Sequence, residues 1–307
     1  HPLFNVINGG TIKNINFENV DINRPGQNQI ATLGFNLKNK GLIEDVKVTG
    51  SVTGNNDVAG IVNKIDEDGK IENVAFIGKI DSVGNNSTVG GIAGSNYMGF
   101  VNRAYVDATI TAQNANASML VPFVTYMLNS WKSGTKAKVT NSVAKGVLDV
   151  KNTRNVGGIV AKTWPYGAVQ DNVTYAKVIK GQEIFASNDV NDEDGGPYIK
   201  DLFGVVGYSS AEDGTGKDTK SPKKLKHLTK EEADKRVEGY KITADTFVSE
   251  PYALNTLNNV SSQADFANIQ DYNPAYKQAY KNIEKFQPFY NKDYIVYQAN
   301  KLAKDHN

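Results

Sequence analysis

A degenerate repeat of about thirty residues runs through the first two thirds of this 307-residue chain. Each copy has a glycine and an apolar residue, then a turn, then an apolar–x–Asn–apolar step that leads into a short strand. Clear copies contain Gly60-Ile61, Gly90-Gly91-Ile92 and Gly157-Gly158-Ile159. Such self-similarity is typical of a solenoid, because one unit cannot bury its apolar face alone and its neighbours must stack on it.

The strands of the repeat predict the type of solenoid. One copy contains the strand candidates Val89 to Ala93, Val101 to Val106 and Ala108 to Thr111. Strands this short are unstable as isolated hairpins, but in stacked coils each pairs with its counterpart about 4.8 Å away. We therefore predict a mainly β fold, a right-handed parallel β-helix of about six to seven coils, followed by a small α-helical C-terminal segment. A β-propeller is the nearest alternative, but its blades usually need about forty residues.

Composition divides the chain into three regions. Residues 1–208 are the predicted β-helix, residues 209–228 are an exposed linker rich in Lys, Ser and Gly, and residues 229–307 are a helical C-terminal segment. Thr229 and Glu232 have the spacing of a capping box, which predicts a helix start. Further helices are predicted from Pro274 and after Asn291.

The glycine pairs of the repeat have a structural interpretation. At Gly90-Gly91 and Gly157-Gly158 the missing side chains permit either left-handed backbone or close approach by the next coil. A phosphate-binding loop is the alternative, but it requires a Gly-x-Gly-x-x-Gly or Gly-Lys-Ser/Thr pattern that opens a helix. Here each glycine pair is followed by a predicted strand.

The repeat also carries a recurring Asn or Asp, which we interpret as a turn residue whose side chain bonds along the stack. These residues are Asn14, Asp45, Asn73, Asn141 and Asp171. The alternative is a pair of catalytic carboxylates, as in carbohydrate-active β-helices. Arg103 interrupts the column, which favours the structural interpretation.

Large aromatic residues follow the repeated strands and are the candidate partner-binding residues. Tyr97 and Trp164 lie five residues after Ile92 and Ile159, and Trp131 occupies the same turn region of the copy between them. Equivalent turns of successive coils lie on one edge, so Tyr97, Trp131 and Trp164 are predicted to form an aromatic ridge that Tyr166 extends. Exposed aromatics at turns often mark contact sites. The alternative is that these rings fold back over a coil edge.

Bulk composition excludes several classes of function. The chain has 34 basic and 33 acidic residues, so its net charge gives no case for nucleic acid as a partner. Cysteine is absent, which excludes disulfides and thiolate metal sites. No apolar stretch reaches the roughly 18 residues that a membrane span needs, so no membrane insertion is expected. Without a signal peptide, the chain is expected to be a piece of a longer protein.

Metal-binding patterns are weak. The acidic loop from Asn188 to Gly196 suggests calcium, but Val190 stands where an EF-hand has Asp, so a solvated loop is preferred. The three histidines form no His-Glu-x-x-His motif. We predict no catalytic residue, no metal ligand and no cofactor in this chain.

The coil consensus, Gly-Gly-Ile/Val-x-Gly/Ala followed by Gly-x-Ile-x-Asn, resembles the GLUG-type repeats of bacterial surface proteins. The whole chain is similar to the region that precedes the catalytic domain in IgA1-type zinc metalloproteases of Gram-positive cocci. The segments that carry this resemblance are Leu3–Ile15, Val156–Ala161 and Gln287–Lys292. In that family the zinc site is a His-Glu-x-x-His motif further along the chain, so zinc is expected in a catalytic domain outside this piece.

The resemblance implies a non-catalytic accessory domain of a secreted, cell-surface or cell-wall-associated metalloprotease. Its expected partners are a host protein or glycoprotein, with immunoglobulin A1 as a candidate, and the catalytic domain of the same chain. The alternative is a stand-alone bacterial adhesin or glycan-binding β-helix that stacks sugars on the aromatic ridge. A polysaccharide lyase is a third possibility, but fold alone is weak support for it.

Overall fold

The computed structural model describes residues 2–124, 137–163, 168–181, 185–188, 207–209 and 225–245. The chain divides into two units, His1–Phe247 and Val248–Asn307, and all the described residues belong to the first. In these residues the Val-, Ile- and Thr-rich segments form short and long strands, as their β-branched side chains favour.

Seven strands form one parallel sheet. In spatial order they are β1 (Phe4–Asn8), β3 (Gly34–Lys38), β6 (Val62–Ile65), β9 (Ala93–Asn96), β11 (Phe123–Val124), β14 (Val160–Thr163) and β18 (Phe185–Asn188). Every pair between neighbours is parallel. Since sequence-distant strands pair in parallel, each strand of this sheet belongs to a different coil.

The second sheet contains thirteen strands and carries the long side of each coil. Its main path is β2 (Thr11–Arg24), β4 (Leu42–Gly54), β7 (Lys70–Ser82), β10 (Phe100–Ser118), β13 (Val143–Gly157), β16 (Asn172–Thr174), β19 (Gly207–Ser209) and β20 (Leu225–His227). The remaining strands are β5 (Val58–Ala59), β8 (Ser87–Gly90), β12 (Lys138–Thr140), β15 (Ala168–Gln170) and β17 (Lys177–Val178).

The predicted class, a parallel β-helix, is confirmed as a mainly β, parallel β-solenoid. It has about five turns, slightly fewer than the predicted six to seven. The reason is that, among the described residues, only β2, β4, β7, β10 and β13 are long strands. The sheet then continues through three-residue strands, which the repeat pattern does not distinguish from full coils.

The core lies inside the coils and is built from columns of equivalent residues. Val48, Phe76, Val106 and Ala144 occupy one such column through consecutive parallel pairs. All four are fully buried. Complete burial of a side chain the size of Val or Phe contributes roughly 1.5–3 kcal/mol, so each added coil stabilises its neighbour.

One corner of the coils is turned by a residue in the left-handed region at the equivalent place in each coil. This residue is Asn14, Asp45, Asn73, Arg103, Asn141 or Asp171 in successive coils, with φ between 49° and 57°. Asn and Asp adopt this conformation more readily than other non-glycine residues. The interpretation of the recurring Asn and Asp as turn residues is therefore confirmed, and the amide of Asn73 donates to Asp45 Oδ1 at 2.7 Å along the stack.

One pair of predicted strands is not separate in the structure. Val101 to Val106 and Ala108 to Thr111 are parts of the single strand β10. Asp107, the residue between the two predicted strands, pairs in register with Ile77 and Lys145. Because the ladder continues through Asp107, the two predicted strands merge into one.

At Gly90-Gly91 the missing side chains serve close packing rather than left-handed backbone. A Cβ on Gly91 would lie 2.1 Å from the carbonyl oxygen of Met119, and one on Gly90 would lie 2.1 Å from that of Ala93. Neither glycine has a positive φ. Of the two alternatives, close approach by neighbouring backbone applies at Gly90-Gly91.

The first described residues after β20 form a strap across the outside of the thirteen-stranded sheet. We define the strap as residues 228–245, which include the helix α1 (Lys230–Tyr240). The predicted capping box at its start is confirmed: Glu232 N donates to Thr229 Oγ1 at 3.2 Å, and Thr229 N donates to Glu232 Oε2 at 3.0 Å. Lys241, with φ 54°, closes the helix through a bond from its N–H to the carbonyl of Glu238.

The strap covers outward-facing apolar side chains of the sheet. Its Ala233, Val237, Tyr240, Ile242 and Ala244 pack against two small clusters outside the coils. The solenoid residues in these clusters include Ala75, Tyr105, Val143, Val173, Tyr208 and Tyr175, which lies between β16 and β17. The strap therefore shields a surface that would otherwise be apolar and exposed.

The acidic loop 189–196 and the predicted helices from Pro274 and after Asn291 lie outside the described residues, so they stay predictions. The boundaries at 208 and 228 also stay predictions. No helix in the described part of the chain has the length and apolar character to span a membrane.

Candidate binding groove

A groove of about 380 Å³ is lined by side chains of the seven-stranded sheet together with Thr88 on β8 and Asn116 on β10 of the thirteen-stranded sheet. We call it the sheet groove. It is lined by Gln29, Phe35, Asp57, Asn63, Lys64, Thr88, Ser95, Tyr97, Asn116, Phe123 and Lys162. These residues come from successive coils, so the groove runs across the strands rather than along one of them.

Two aromatic rings form the centre of the sheet groove. Tyr97 and Phe123 are half-buried, and their ring centroids are 5.6 Å apart at an interplanar angle of 61°, an edge-to-face arrangement. Lys64 Nζ lies 4.8 Å from the centroid of Tyr97 and also pairs with Asp66 at 2.7 Å. Edge-to-face pairs and cation–π contacts each add about 0.5–1.5 kcal/mol, which fixes these rings in place.

The fold positions Tyr97 through a buried asparagine. Asn96 is fully buried, and its side chain accepts from Gly99 N at 2.8 Å and donates to the carbonyls of Gly99 and Lys138 at 3.0 and 3.1 Å. Tyr97 N itself donates to the carbonyl of Ile65 at 2.9 Å. The turn that carries Tyr97 is therefore held to the coils on both sides of it.

Polar side chains line the end of the groove nearest the core. Asn63 is 5% exposed, and its amide donates to the carbonyls of Ile30 and Asp57 at 3.0 and 2.6 Å. The carboxylate of Asp57 accepts from Thr88 N and Thr88 Oγ1 at 3.0 and 2.8 Å. Asp57 is thus committed to holding β8 in place, and its charge is partly satisfied by these donors.

The predicted aromatic ridge is only partly within the described residues. Tyr97 lies in the sheet groove, whereas Trp131, Trp164 and Tyr166 lie outside the described residues. Asn96, Val124 and Thr163 are in register across β9, β11 and β14. Since Tyr97 and Trp164 directly follow Asn96 and Thr163 in the chain, this register is consistent with the ridge, which stays a prediction.

Sequence reasoning missed Phe123, Lys64 and Lys162. The ladders place Lys64 beside Ser95 and Phe123 beside Lys162, on one outward column. In β6 only Lys64 is not buried, so burial does not alternate along the strand and no period-two pattern in the sequence identifies the outward residue. The spacing from the glycine pairs predicted the turns that follow the strands, but it did not predict which residues of the strands face outward.

A second hollow, of about 620 Å³, lies beside α1 and Asn141. Two of its lining residues are occupied in holding the strap. Tyr240 OH donates to the carbonyl of Asp171, and Arg236 lies 4.0 Å from the Asp171 carboxylate and 3.8 Å from the ring centroid of Tyr208. We therefore take the sheet groove as the candidate site.

The alternatives of metal binding and carboxylate catalysis find no support in the described residues. In that part of the chain no group of three His, Asp or Glu side chains is arranged to hold a metal ion. In the corner column Asn73, Arg103 and Asn141 separate Asp45 from Asp171, so no two carboxylates of the column are neighbours. The described residues do not fit a zinc site, and no step of peptide hydrolysis is assigned to them.

By its fold, the chain is a protein of the parallel β-solenoid class. It carries on its outer surface a groove that is lined by side chains. Residues 1–50 match the family described as the M26 IgA1-specific metallo-endopeptidase N-terminal region. Zinc metalloprotease ZmpB of Streptococcus pneumoniae serotype 4 is 52% identical over 100% of this chain and 16% of that protein. Zinc metalloprotease ZmpC of the same organism is 29% identical over 98% of this chain and 15% of that protein.

The immunoglobulin A1 protease of Streptococcus sanguinis is 25% identical over 99% of this chain and 16% of that protein. The chain thus spans about a sixth of the length of the curated relatives it matches. The resemblance predicted from the sequence is confirmed: the chain belongs with the N-terminal region of the IgA1-type zinc metalloproteases.

Proposed function

We propose that the chain is a non-catalytic accessory region of a secreted, cell-surface zinc metalloprotease of a Gram-positive bacterium. In this proposal it binds a host glycoprotein such as immunoglobulin A1 and docks against a catalytic domain in the same longer chain. The names of the relatives support this, since they are zinc metalloproteases and immunoglobulin A1 proteases of streptococci.

The observation that carries the proposal is the aromatic pair in the sheet groove. Tyr97 and Phe123 are half-buried on an outer face, and the buried Asn96 fixes the turn that carries Tyr97. Half-exposed aromatic residues on a rigid support are the side chains that most often dominate the binding energy of protein surfaces. Their orientation in the unbound protein lowers the entropy cost of binding.

The architecture suits a positioning role. Each groove strand from β3 to β14 is paired on both sides, so the groove is fixed to a long, regular stack of backbone hydrogen bonds. A substrate bound at the groove is then held at a constant place on the solenoid. Holding a substrate in the right geometry accelerates a reaction without any catalytic group at the binding surface.

The test is binding of the 307-residue chain to immobilised immunoglobulin A1 by surface plasmon resonance. Tyr97→Ala combined with Phe123→Ala is expected to weaken binding by at least about tenfold, since truncated aromatic hot spots cost about 2 kcal/mol or more. Circular dichroism checks that the fold is retained.

Phe100→Ala is the matched control. Phe100 is also half-buried and has two lysine ammonium groups near its ring, Lys70 Nζ at 5.7 Å and Lys138 Nζ at 5.9 Å, but it lies outside the sheet groove. This variant is expected to bind as the unmodified chain does. Equal binding by the groove variant and the unmodified chain would remove the groove from the proposal.

A further inference from the structure

We propose that the sheet groove recognises a neutral oligosaccharide chain of the bound glycoprotein, an inference that rests on the proposed function. It assigns a ligand class to the groove, where the proposed function assigns only a glycoprotein partner. Five properties of the groove favour such a ligand: its backbone, its polar lining, its rings, its charge and its length.

The backbone of the groove excludes one common mode of peptide binding. The strands β3, β6, β9, β11 and β14 that cross the groove each pair with a neighbour on both sides. An extended peptide adds to a sheet only where an edge strand has unpaired N–H and C=O groups. Recognition in the sheet groove therefore depends on side chains.

Amides and hydroxyls make up the neutral polar part of the lining. They are Gln29, Asn63, Thr88, Ser95 and Asn116. Asn116 Oδ1 accepts from Asn155 Nδ2 at 3.0 Å, which fixes the orientation of its amide at the groove. Amides and hydroxyls both donate and accept, as the hydroxyls of a sugar do, so they match a saccharide better than they match an apolar side chain.

The aromatic pair provides the apolar surface that a sugar ring needs. Tyr97 and Phe123 stand edge to face, so the two rings present one face and one edge rather than a flat stack. The Lys64 ammonium group lies over the Tyr97 ring, 4.8 Å from its centroid. A sugar places its C–H groups against such a ring while its hydroxyls reach the neighbouring amides.

Charge in and beside the groove is nearly balanced, which favours a neutral ligand. The lining carries the cations Lys64 and Lys162 and the anion Asp57, and Lys64 pairs with Asp66 at 2.7 Å. An acidic ligand gains little from an ammonium group that a carboxylate already neutralises at this distance.

The length of the groove fits a chain of sugars. The lining extends from Phe35 on β3 to Lys162 on β14, which is four coil spacings or about 19 Å along the stack. A groove of this length accommodates several linked sugar units. It crosses the strands and so runs along the axis on which the coils stack.

The experiment is calorimetric titration of the 307-residue chain with a neutral oligomer of N-acetyllactosamine and with its sialylated counterpart. The neutral oligomer is expected to bind. Tyr97→Ala is expected to weaken this binding by about tenfold or more, whereas Tyr97→Phe, which keeps the ring, is expected to change it by no more than about twofold. Phe100→Ala is the control and is expected to bind normally.

A parallel measurement separates this inference from the proposed function. Intact and enzymatically deglycosylated immunoglobulin A1 are compared for binding to the same chain and to Tyr97→Ala. Loss of binding on deglycosylation supports the inference. If both immunoglobulin forms bind equally well to the unmodified chain and neither binds to Tyr97→Ala, the assignment of a sugar ligand is overturned. The proposed function is then retained.

Two further outcomes are decisive. Binding of the sialylated oligomer alone overturns the assignment of a neutral ligand. If the chain binds neither immunoglobulin form, the proposed function is contradicted. If it still binds the free neutral oligomer, the assignment of a sugar site to the groove is supported even so.

Discussion

At the scale of single residues, the solenoid depends on positions where only one kind of side chain fits. Gly60 and Gly91 belong to successive coils, and a Cβ on Gly60 would lie 2.0 Å from the carbonyl oxygen of Gly91. The clash is with backbone, which cannot move without disturbing the ladder. Such positions set the spacing of the coils in the core.

Gly91→Ala is expected to destabilise the protein by about 1–3 kcal/mol, the range seen when atoms are forced into a well-packed interior. Its Cβ would lie 2.1 Å from the Met119 carbonyl oxygen. Gly26→Ala is the control, because nothing lies within 4 Å of a Cβ there. Urea unfolding of both variants tests this, and equal stabilities would show that the coils are not in close contact at Gly91.

At the scale of elements, the strap is tied to the residues of the corner column, and Asn73 makes most of these hydrogen bonds. Asn73 is 2% exposed; its Oδ1 accepts from Thr243 N and Ala244 N at 2.8 and 3.1 Å, and its Nδ2 donates to Thr243 Oγ1 at 2.6 Å. Arg103 Nη2 donates to the carbonyl of Lys241 at 2.8 Å. The left-handed corner residues therefore both turn the strands and hold the strap.

Asn73→Ala is expected to weaken docking of the strap by about 2–3 kcal/mol, because it removes several hydrogen bonds and leaves their partners unsatisfied. Asn14→Ala is the control, since Asn14 has the same left-handed conformation, φ 56°, in the first coil. Hydrogen exchange of the α1 amides measures the effect. Similar exchange in the two variants would show that the corner conformation, and not the contacts to the strap, is what matters.

Docking of the strap is also expected to depend on pH. Burial raises the pKa of Tyr105 to about 12, and burial is the main reason that the pKa values of Tyr175 and Tyr240 are raised above their ordinary value. A raised pKa means that each tyrosine hydroxyl holds its proton more tightly when the strap is docked than when it is released. The stabilisation is therefore complete below about pH 10 and is lost as the pH rises through about 12.

Ultraviolet absorbance of tyrosinate, followed with circular dichroism, measures this transition. In Asn73→Ala the same tyrosines are expected to titrate closer to pH 10, because the weakened strap exposes them. Superimposable titrations of Asn73→Ala and the unmodified chain would contradict the role of the strap in burying these rings.

The sequence predicted some of these features and not others, for physical reasons. The stacked coils, the corner residues and the helix start at Thr229 follow from local patterns, and the structure contains them. The strap contact was not predictable, because Asn73 and Thr243 are 170 positions apart and no periodicity connects them. Tyr97 was predicted from its turn, but Phe123 depends on which side of a two-residue strand faces outward.

At the scale of the whole molecule, the solenoid presents two different outer surfaces. The thirteen-stranded sheet is covered in part by the strap, whose contacts are internal to the chain. The aromatic pair of the sheet groove lies on the side of the seven-stranded sheet. In the proposed function, the strap closes one surface and the sheet groove on the other binds the glycoprotein.

Mapping of amide chemical shifts on the isotope-labelled chain, with immunoglobulin A1 added, tests this division most directly. We expect the shifts to change around Lys64, Tyr97 and Phe123 and to stay constant in α1. Changes confined to the strap side of the solenoid, or no changes at all, would contradict it.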